Sequence, residues 1–140
     1  MIMEKIKNLW FDGRRIYIRT DAGNKYSRPL EAFPELMGAD AEQRNAFVID
    51  PDGEEIRWEE LDADLHITSF FETKEPNYRN EVAELFARFP WLNYVDVAKA
   101  MNVHPSLVAR YIYGMDEPSP QRMSQLRDSL HAFGRELLSA

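Results

Sequence analysis

The sequence predicts a small α+β domain followed by an all-α domain. Apolar residues recur at every second position in the first half, as in half-buried strands, whereas from about residue 80 they recur three and four positions apart, as in helices. Charge divides in the same way: residues 1–76 hold 10 Lys and Arg against 17 Asp and Glu, while residues 77–140 hold 7 of each. The net charge of -7 therefore lies in the first part. We predict domains at 1–74 and 79–140, joined by the polar, proline-containing segment Thr73–Tyr78.

Composition predicts a cytoplasmic protein that makes no contact with a membrane. The 140 residues include no cysteine, which excludes disulfides and fits a reducing compartment. No run approaches the roughly 18 apolar residues that a spanning helix needs. The first ten residues, MIMEKIKNLW, include an acidic residue and too short an apolar run for a secretory signal.

The first half is predicted to form a small antiparallel sheet covered on one side by short helices. Asp12-Gly13 and Asp21-Ala22-Gly23-Asn24 read as turns between alternating runs, and Pro51-Asp52-Gly53 reads as a third. Pro34 limits a helix near Pro29–Met37 to its first turn or splits it. We expect strands at Ile6–Trp10, Arg14–Thr20, Lys25–Arg28, Ala46–Ile49 and Glu54–Trp58, and a second short helix at Ala41–Asn45.

These features resemble a bacterial family of unknown function, DUF2442, over about residues 1–70. The resemblance is carried by the DG between the first strands, the second turn before a short strand, the Pro-Leu-x-x-Phe that leads into the helix, and the final G-x-x-I-x-W. These motifs are turn residues and core positions, so the resemblance implies a fold and no chemistry.

No catalytic, metal or cofactor site is predicted, and we do not expect an enzyme. The three histidines are dispersed along the chain, and the acidic run over residues 54–64 lacks the spacing and central glycine of a calcium loop. A solvated acidic edge is the favoured interpretation of that run, with a bound hard cation as the alternative. Four aromatic residues are expected in core or inter-domain packing, with an aromatic ligand pocket as the alternative: Trp10, Trp58, Phe70 and Phe71.

The second half is predicted to contain four helices. The first spans Asn80–Arg88 and stops before Pro90, since the residue before proline disfavours helix. Asn93 is a good N-cap for the second helix. Pro105 begins the third helix and Gly114 closes it. The fourth begins with Ser119 and Pro120 as N-cap and N1, and its apolar stripe is Met123, Leu126, Leu130, Phe133 and Leu137.

The second and third of these helices, within residues 93–114, have the spacing of a helix-turn-helix. Ala98 is small where the helices would cross closely, and Val108 would pack the later helix back onto the earlier one. Asn102 stands where the turn needs a positive φ, which Asn tolerates better than most residues. A helix held at this angle can place its first turn in the major groove of DNA.

The order of these elements resembles the lambda-repressor-like, or Xre-type, DNA-binding domains over about residues 80–133. The Pro-Ser-containing segment Glu117–Pro120 fits the family pattern, while Tyr94 stands where the family usually has Gln. The resemblance implies that the helix 105–113 reads DNA, with Arg110 donating to guanine or to a phosphate. The implied DNA-binding residues are Tyr94, His104, Pro105, Ser106, Leu107 and Arg110, with phosphate contacts from Lys99 and Arg122.

Two functions follow as expectations. The first is a transcriptional regulator that binds double-stranded DNA as a homodimer on a palindromic site. The alternative is a protein-interaction adaptor or antitoxin-like module, whose acidic N-terminal domain contacts a basic protein partner. The stripe of the last helix exceeds what a small helical core covers, so Phe133 and Leu137 are expected to bury against a second copy or against the N-terminal domain.

Overall fold

The computed structural model of the chain describes residues 4–140 and contains two compact units, Met1–Glu75 and Pro76–Ala140. The first unit has antiparallel strands and short helices, and the second consists of helices. This order confirms the predicted fold class. Residues 1–3, with which the predicted first domain begins, lie outside the described residues.

The first unit contains two three-stranded antiparallel sheets, each a simple meander. The first sheet contains β1 (Ile6–Asp12), β2 (Arg15–Thr20) and β3 (Lys25–Pro29). The second contains β4 (Val48–Ile49), β5 (Glu55–Trp58) and β6 (Ala63–His66). Between the sheets in sequence lie a 3-10 helix (Leu30–Ala32), α1 (Pro34–Met37) and α2 (Ala41–Asn45), and a 3-10 helix (Ile67–Phe70) follows β6.

Alternation along the strands builds the core of this unit. Ile16 and Ile18 of β2 are fully buried, whereas Tyr17 is only partly buried and Arg19 is exposed. The second sheet adds Ile56 and Trp58 to the same core. The register of β1 against β2 is interrupted by an irregularity between Ile6 and Asn8.

The two sheets correct the expectation of a single sheet. The strand that was not predicted, β6, begins at the end of the acidic run and has only four residues, with Asp64 exposed. Asp62 adopts a positive φ of 48° in the turn before it. The hairpin that β6 forms with β5 was therefore not predicted, because its sequence is largely polar. The helical segment near Pro34 splits, because Pro34 begins α1 at a position where its missing N–H is tolerated.

The second unit has four helices around one apolar core. They are α3 (Glu81–Arg88), α4 (Tyr94–Met101), α5 (Pro105–Tyr113) and α6 (Pro120–Leu138). A side chain caps the start of each by accepting a backbone N–H, and the caps are Asn80, Asn93, His104 and Ser119. Val82, Val97, Val108 and Leu126 are among the buried core residues. Within residues 4–140 we find no helix with the length and apolar character that crossing a membrane requires.

Gly114 ends α5 in the left-handed conformation, with φ 72°. A Cβ on this residue would collide with the backbone carbonyl of Asn77, whose N–H donates to Tyr113 O at 2.8 Å. The backbone of Asn77, in the segment before α3, therefore fills the space that a side chain at position 114 would need.

We predict that Gly114→Ala destabilises the second unit by at least about 2 kcal/mol, because left-handed strain and a backbone collision add. Gly23→Ala is the matched control, since Gly23 has φ 82° but open space around its Cβ position. It should lose only the strain of about 1–2 kcal/mol in the first unit. Urea denaturation followed by NMR resolves the two units, and equal losses would contradict the role given to Asn77.

Candidate functional site

The segment from α4 to α5 turns sharply at Asn102, which has φ 59° and ψ 44°. Its left-handed conformation lets the Val103 N–H donate to Ala98 O at 3.0 Å. Ala98 is fully buried where the helices pack, and Val108 is buried in the same core. These three residues have the backbone conformation and burial that their spacing predicted. The turn therefore sets the angle at which α5 leaves α4.

The first turn of α5 is organised by His104. Its Nδ1 accepts the backbone N–H of Ser106 at 3.1 Å, and the Ser106 hydroxyl lies 2.7 Å from the same nitrogen. Because Nδ1 already accepts the backbone N–H, the ring proton of a neutral His104 belongs on Nε2. The Ser106 hydroxyl then donates to Nδ1 and keeps its lone pairs for an external donor. A base amino group is a suitable donor, whereas a phosphate oxygen is not.

Arg110, the predicted guanine donor, is held in an ion pair. Its Nε donates to Asp116 Oδ2 at 2.7 Å, with both side chains more than one third exposed. The backbone N–H groups of Met115 and Asp116 donate to Arg110 O, which brings Asp116 back beside the helix. A base contact by Arg110 therefore competes with an intramolecular carboxylate.

The other predicted contacts lie on three separate elements. Tyr94 is exposed at the start of α4, and Lys99 is exposed further along that helix. Arg122 lies in the first turn of α6, where its Nη1 donates to Gln125 Oε1 at 2.9 Å. Leu107 packs partly against the core, and Pro105 is half-buried as the first residue of α5.

The structure brings together only part of the predicted set. His104 and Ser106 are hydrogen-bonded to each other, whereas no described hydrogen bond or ion pair in residues 4–140 joins Tyr94, Lys99 or Arg122 to them. Sequence reasoning missed Asp116. A signal for it existed, because Gly114 reverses the chain and returns an acidic residue toward the preceding turn.

The C-terminal end of α5 is already occupied. Asn80 Nδ2 donates to Ile112 O at 3.1 Å, and Asn77 N donates to Tyr113 O. Ala109 is buried. The surface that α5 offers to a ligand is therefore its first turn together with the partly exposed side chain of Arg110.

In the first unit, charged side chains meet around Arg57. The guanidinium binds Glu59, Asp62 and Asp64 at 2.8 to 3.1 Å, and the hydrogen bonds to Asp62 and Glu59 raise the pKa of Arg57. Among the described residues, no group of three His, Asp or Glu side chains is placed to hold a metal ion. His66 caps a 3-10 helix by accepting the Thr68 N–H, which is a structural task.

The aromatic residues of this unit pack against other residues of the same unit. Trp58 is buried and its Nε1 donates to Arg44 O, and Phe70 is buried in the same core. Trp10 stacks on Tyr17 across the strands at 5.5 Å, and Phe71 meets Tyr26 edge to face. Trp58 and Phe70 are thus core residues, as predicted.

The geometry defines an α+β unit followed by a four-helix unit. Residues 6–75 match the family described as proteins of unknown function, DUF2442. The match spans half of the chain, so the chain belongs to this family and the resemblance of the first half is confirmed. The resemblance of residues 80–133 to Xre-type domains stays a prediction.

Two solved structures are similar to the chain. One is a protein of unknown function from Rhodospirillum rubrum, 25% identical with a TM-score of 0.43, covering 52% of this chain and 95% of that one. The other, from Nitrosomonas europaea, carries the provisional name of a DNA-binding protein; it is 11% identical with a TM-score of 0.37, covering 89% of this chain and 84% of that one. At these TM-scores neither likeness bears on function. No curated protein matches the chain.

We predict that Asn102→Gly keeps the stability of the second unit within about 0.5 kcal/mol, whereas Asn102→Val lowers it by about 1–2 kcal/mol or more. The reason is the positive φ, which glycine adopts freely and a β-branched residue resists. Thermal melting of the two variants beside the parent chain measures the difference. Equal melting temperatures would mean that the α4–α5 turn does not depend on this conformation.

Proposed function

We propose that the second unit binds double-stranded DNA, with the first turn of α5 in the major groove, and that the protein regulates transcription. One observation carries this proposal: α5 starts three residues after the left-handed Asn102, and the contact of Ala98 and Val108 with the core fixes its direction. This is the arrangement expected of a helix-turn-helix. A short helix held in this way can reach base edges with its first residues.

The chemistry of the first turn supports a contact to bases. Ser106 has free lone pairs, Pro105 offers an apolar surface suited to a thymine methyl, and exposed His104 offers Nε2. Phosphates would be bound by Lys99 and Arg122. The unit that carries these groups has no net charge, so the acidic surplus of the chain lies in the other unit. Few phosphate contacts imply weak salt dependence.

The ion pair between Arg110 and Asp116 makes the proposal testable in two directions. On a site selected from random DNA, Arg110→Ala should weaken binding by about 1–3 kcal/mol, since a base-reading arginine is lost. Asp116→Asn should tighten binding, because it releases the guanidinium and removes a negative charge near the phosphates. Fluorescence anisotropy at one fixed salt concentration measures both dissociation constants.

The matched control is Arg79→Ala, an exposed arginine in the segment before α3. It should leave the dissociation constant unchanged. If Arg110→Ala and Asp116→Asn also leave it unchanged, the ion pair is structural and Arg110 does not bind DNA. Failure of random DNA to yield any enriched site would remove the proposed function itself.

A second candidate function is an adaptor, favoured by the acid surplus of the first unit. Glu59 and Asp62 are almost fully exposed beside Arg57, and three more acidic groups, Glu54, Glu55 and Glu60, lie close in sequence. Such a surface attracts basic proteins at low salt. A homodimer or an antitoxin-like role is compatible with either function.

We predict that the full chain captures a basic protein from its native host at low salt and releases it at high salt. Neutralising both carboxylates, by Glu59→Gln together with Asp62→Asn, should reduce the capture. Asn is chosen at position 62 because it tolerates the positive φ of that residue. Quantitative mass spectrometry of the captured proteins gives the measurement. Equal recovery by parent and variant would contradict the acidic edge as the contact.

A further inference from the structure

The second unit carries an exposed apolar patch that its own core does not cover. The patch consists of Trp91, Leu92, Phe133 and Leu137. Trp91 is 64% exposed and Leu137 is 61% exposed, although Leu92 and Phe133 pack partly on the core. Two grooves of about 410 Å³ and 260 Å³ share these four residues. A tryptophan and a leucine exposed together mark an interaction surface.

The two sides of the patch carry opposite charge. The larger groove is edged by Arg88, Arg127 and His131, whereas the smaller groove is edged by Asp96 and Glu136. Arg127 is ion-paired with Glu81, while the Arg88 guanidinium lies over the Phe89 ring at 5.3 Å. The patch therefore has one basic edge and one acidic edge.

The geometry of α6 places these edges on opposite sides. Successive residues of a helix are turned by about 100°. Relative to Phe133, Glu136 is turned by about 60° in one direction, and Gly134 and His131 by about 100° and 160° in the other. Leu137 lies between them, about 40° from Phe133. The apolar patch thus separates the acidic edge from the basic edge.

We propose that a second copy of this chain covers the patch, related by a two-fold axis that runs along the patch between its two edges. Rotation about this axis places the basic edge of each copy on the acidic edge of the other, so every charge pair forms twice. A partner of one charge would match one edge and be repelled by the other. Opposite edges around an apolar centre therefore favour self-association over a basic or an acidic partner.

This inference does not rest on DNA binding. The patch is built from α6 and the residues that follow α3, and none of the proposed DNA contacts belongs to it. Failure of the DNA proposal would leave the dimer intact, and a monomeric protein could still bind DNA.

Light scattering of the full chain at micromolar concentrations is the first test. The parent chain should be a dimer, and Leu137→Glu should be a monomer. Val48→Glu is the control: it makes an aliphatic-to-acidic substitution at a residue that is 67% exposed and lines neither groove, and it should remain a dimer. A monomeric parent chain, or a dimer that Leu137→Glu leaves intact, would overturn the proposal.

Charge exchange between edges is the second test, and it identifies the symmetry. Arg88→Glu and Glu136→Arg should each weaken the homodimer by about tenfold, because like charges meet twice. An equimolar mixture of the two variants should form a heterodimer as tight as the parent dimer, since each edge then faces its opposite. Native mass spectrometry separates the species by mass. Homodimers of unchanged affinity, or a mixture without heterodimer, would sink the two-fold arrangement.

Discussion

The left-handed turn at Asn102 is the constraint on which the helical unit depends. It directs the Val103 N–H to Ala98 O and allows α5 to start at once after α4. Without it, Ala98 and Val108 would not share a core. The far end of α5 is held by a second left-handed residue, Gly114. One helix of nine residues is thus fixed at both ends, and its first turn and the partly exposed side chain of Arg110 are left to a ligand.

Asn102 and Gly114, the two residues with left-handed backbone conformation at the ends of α4 and α5, differ in the substitutions that they tolerate. Asn102 is exposed, so a side chain is accommodated and only the backbone angle restricts the residue type. At Gly114 the backbone of Asn77 fills the space where a Cβ would stand. The segment before α3 therefore contributes to the position of α5, even though it lies far away in sequence.

Local signals made most of the helical unit predictable. Asn93 and Ser119 cap helices where the sequence indicated, because a cap depends only on a side chain and the next turn of backbone. The alternation of Ile16 and Ile18 with Tyr17 and Arg19 likewise indicated β2. The strand β6 could not be recognised, since four residues with an exposed Asp64 carry too short a pattern.

Pairing between side chains was the least predictable feature. Arg110 was expected to face DNA from its place in a pattern, but its ion pair depends on how the chain returns after Gly114. Gly114 signals that the chain reverses, but no periodicity shows which side chain the reversal brings to Arg110. The same limit applies to the bond between His104 and Ser106, which decides whether the hydroxyl donates or accepts.

The acid surplus of the first unit is partly used within the fold. Glu4 accepts from Thr20, Asn24 and Tyr26, and these hydrogen bonds lower the pKa of the Glu4 carboxyl. Glu75 forms a bidentate salt bridge with Arg15. The net charge therefore overstates the number of carboxylates that are available to a partner. The most exposed of those described above are Glu59 and Asp62 beside Arg57.

The short strand β4 has a consequence for behaviour in concentrated solution. As a two-residue edge followed by Pro51, it offers an incoming chain almost no backbone to pair with. In the other sheet β1 is an edge strand. Its irregular register and the charge of Lys7 hinder pairing with a strand of another chain. These features make β1 and β4 poor templates for pairing with a strand of another chain, even though Val48 is solvent-exposed.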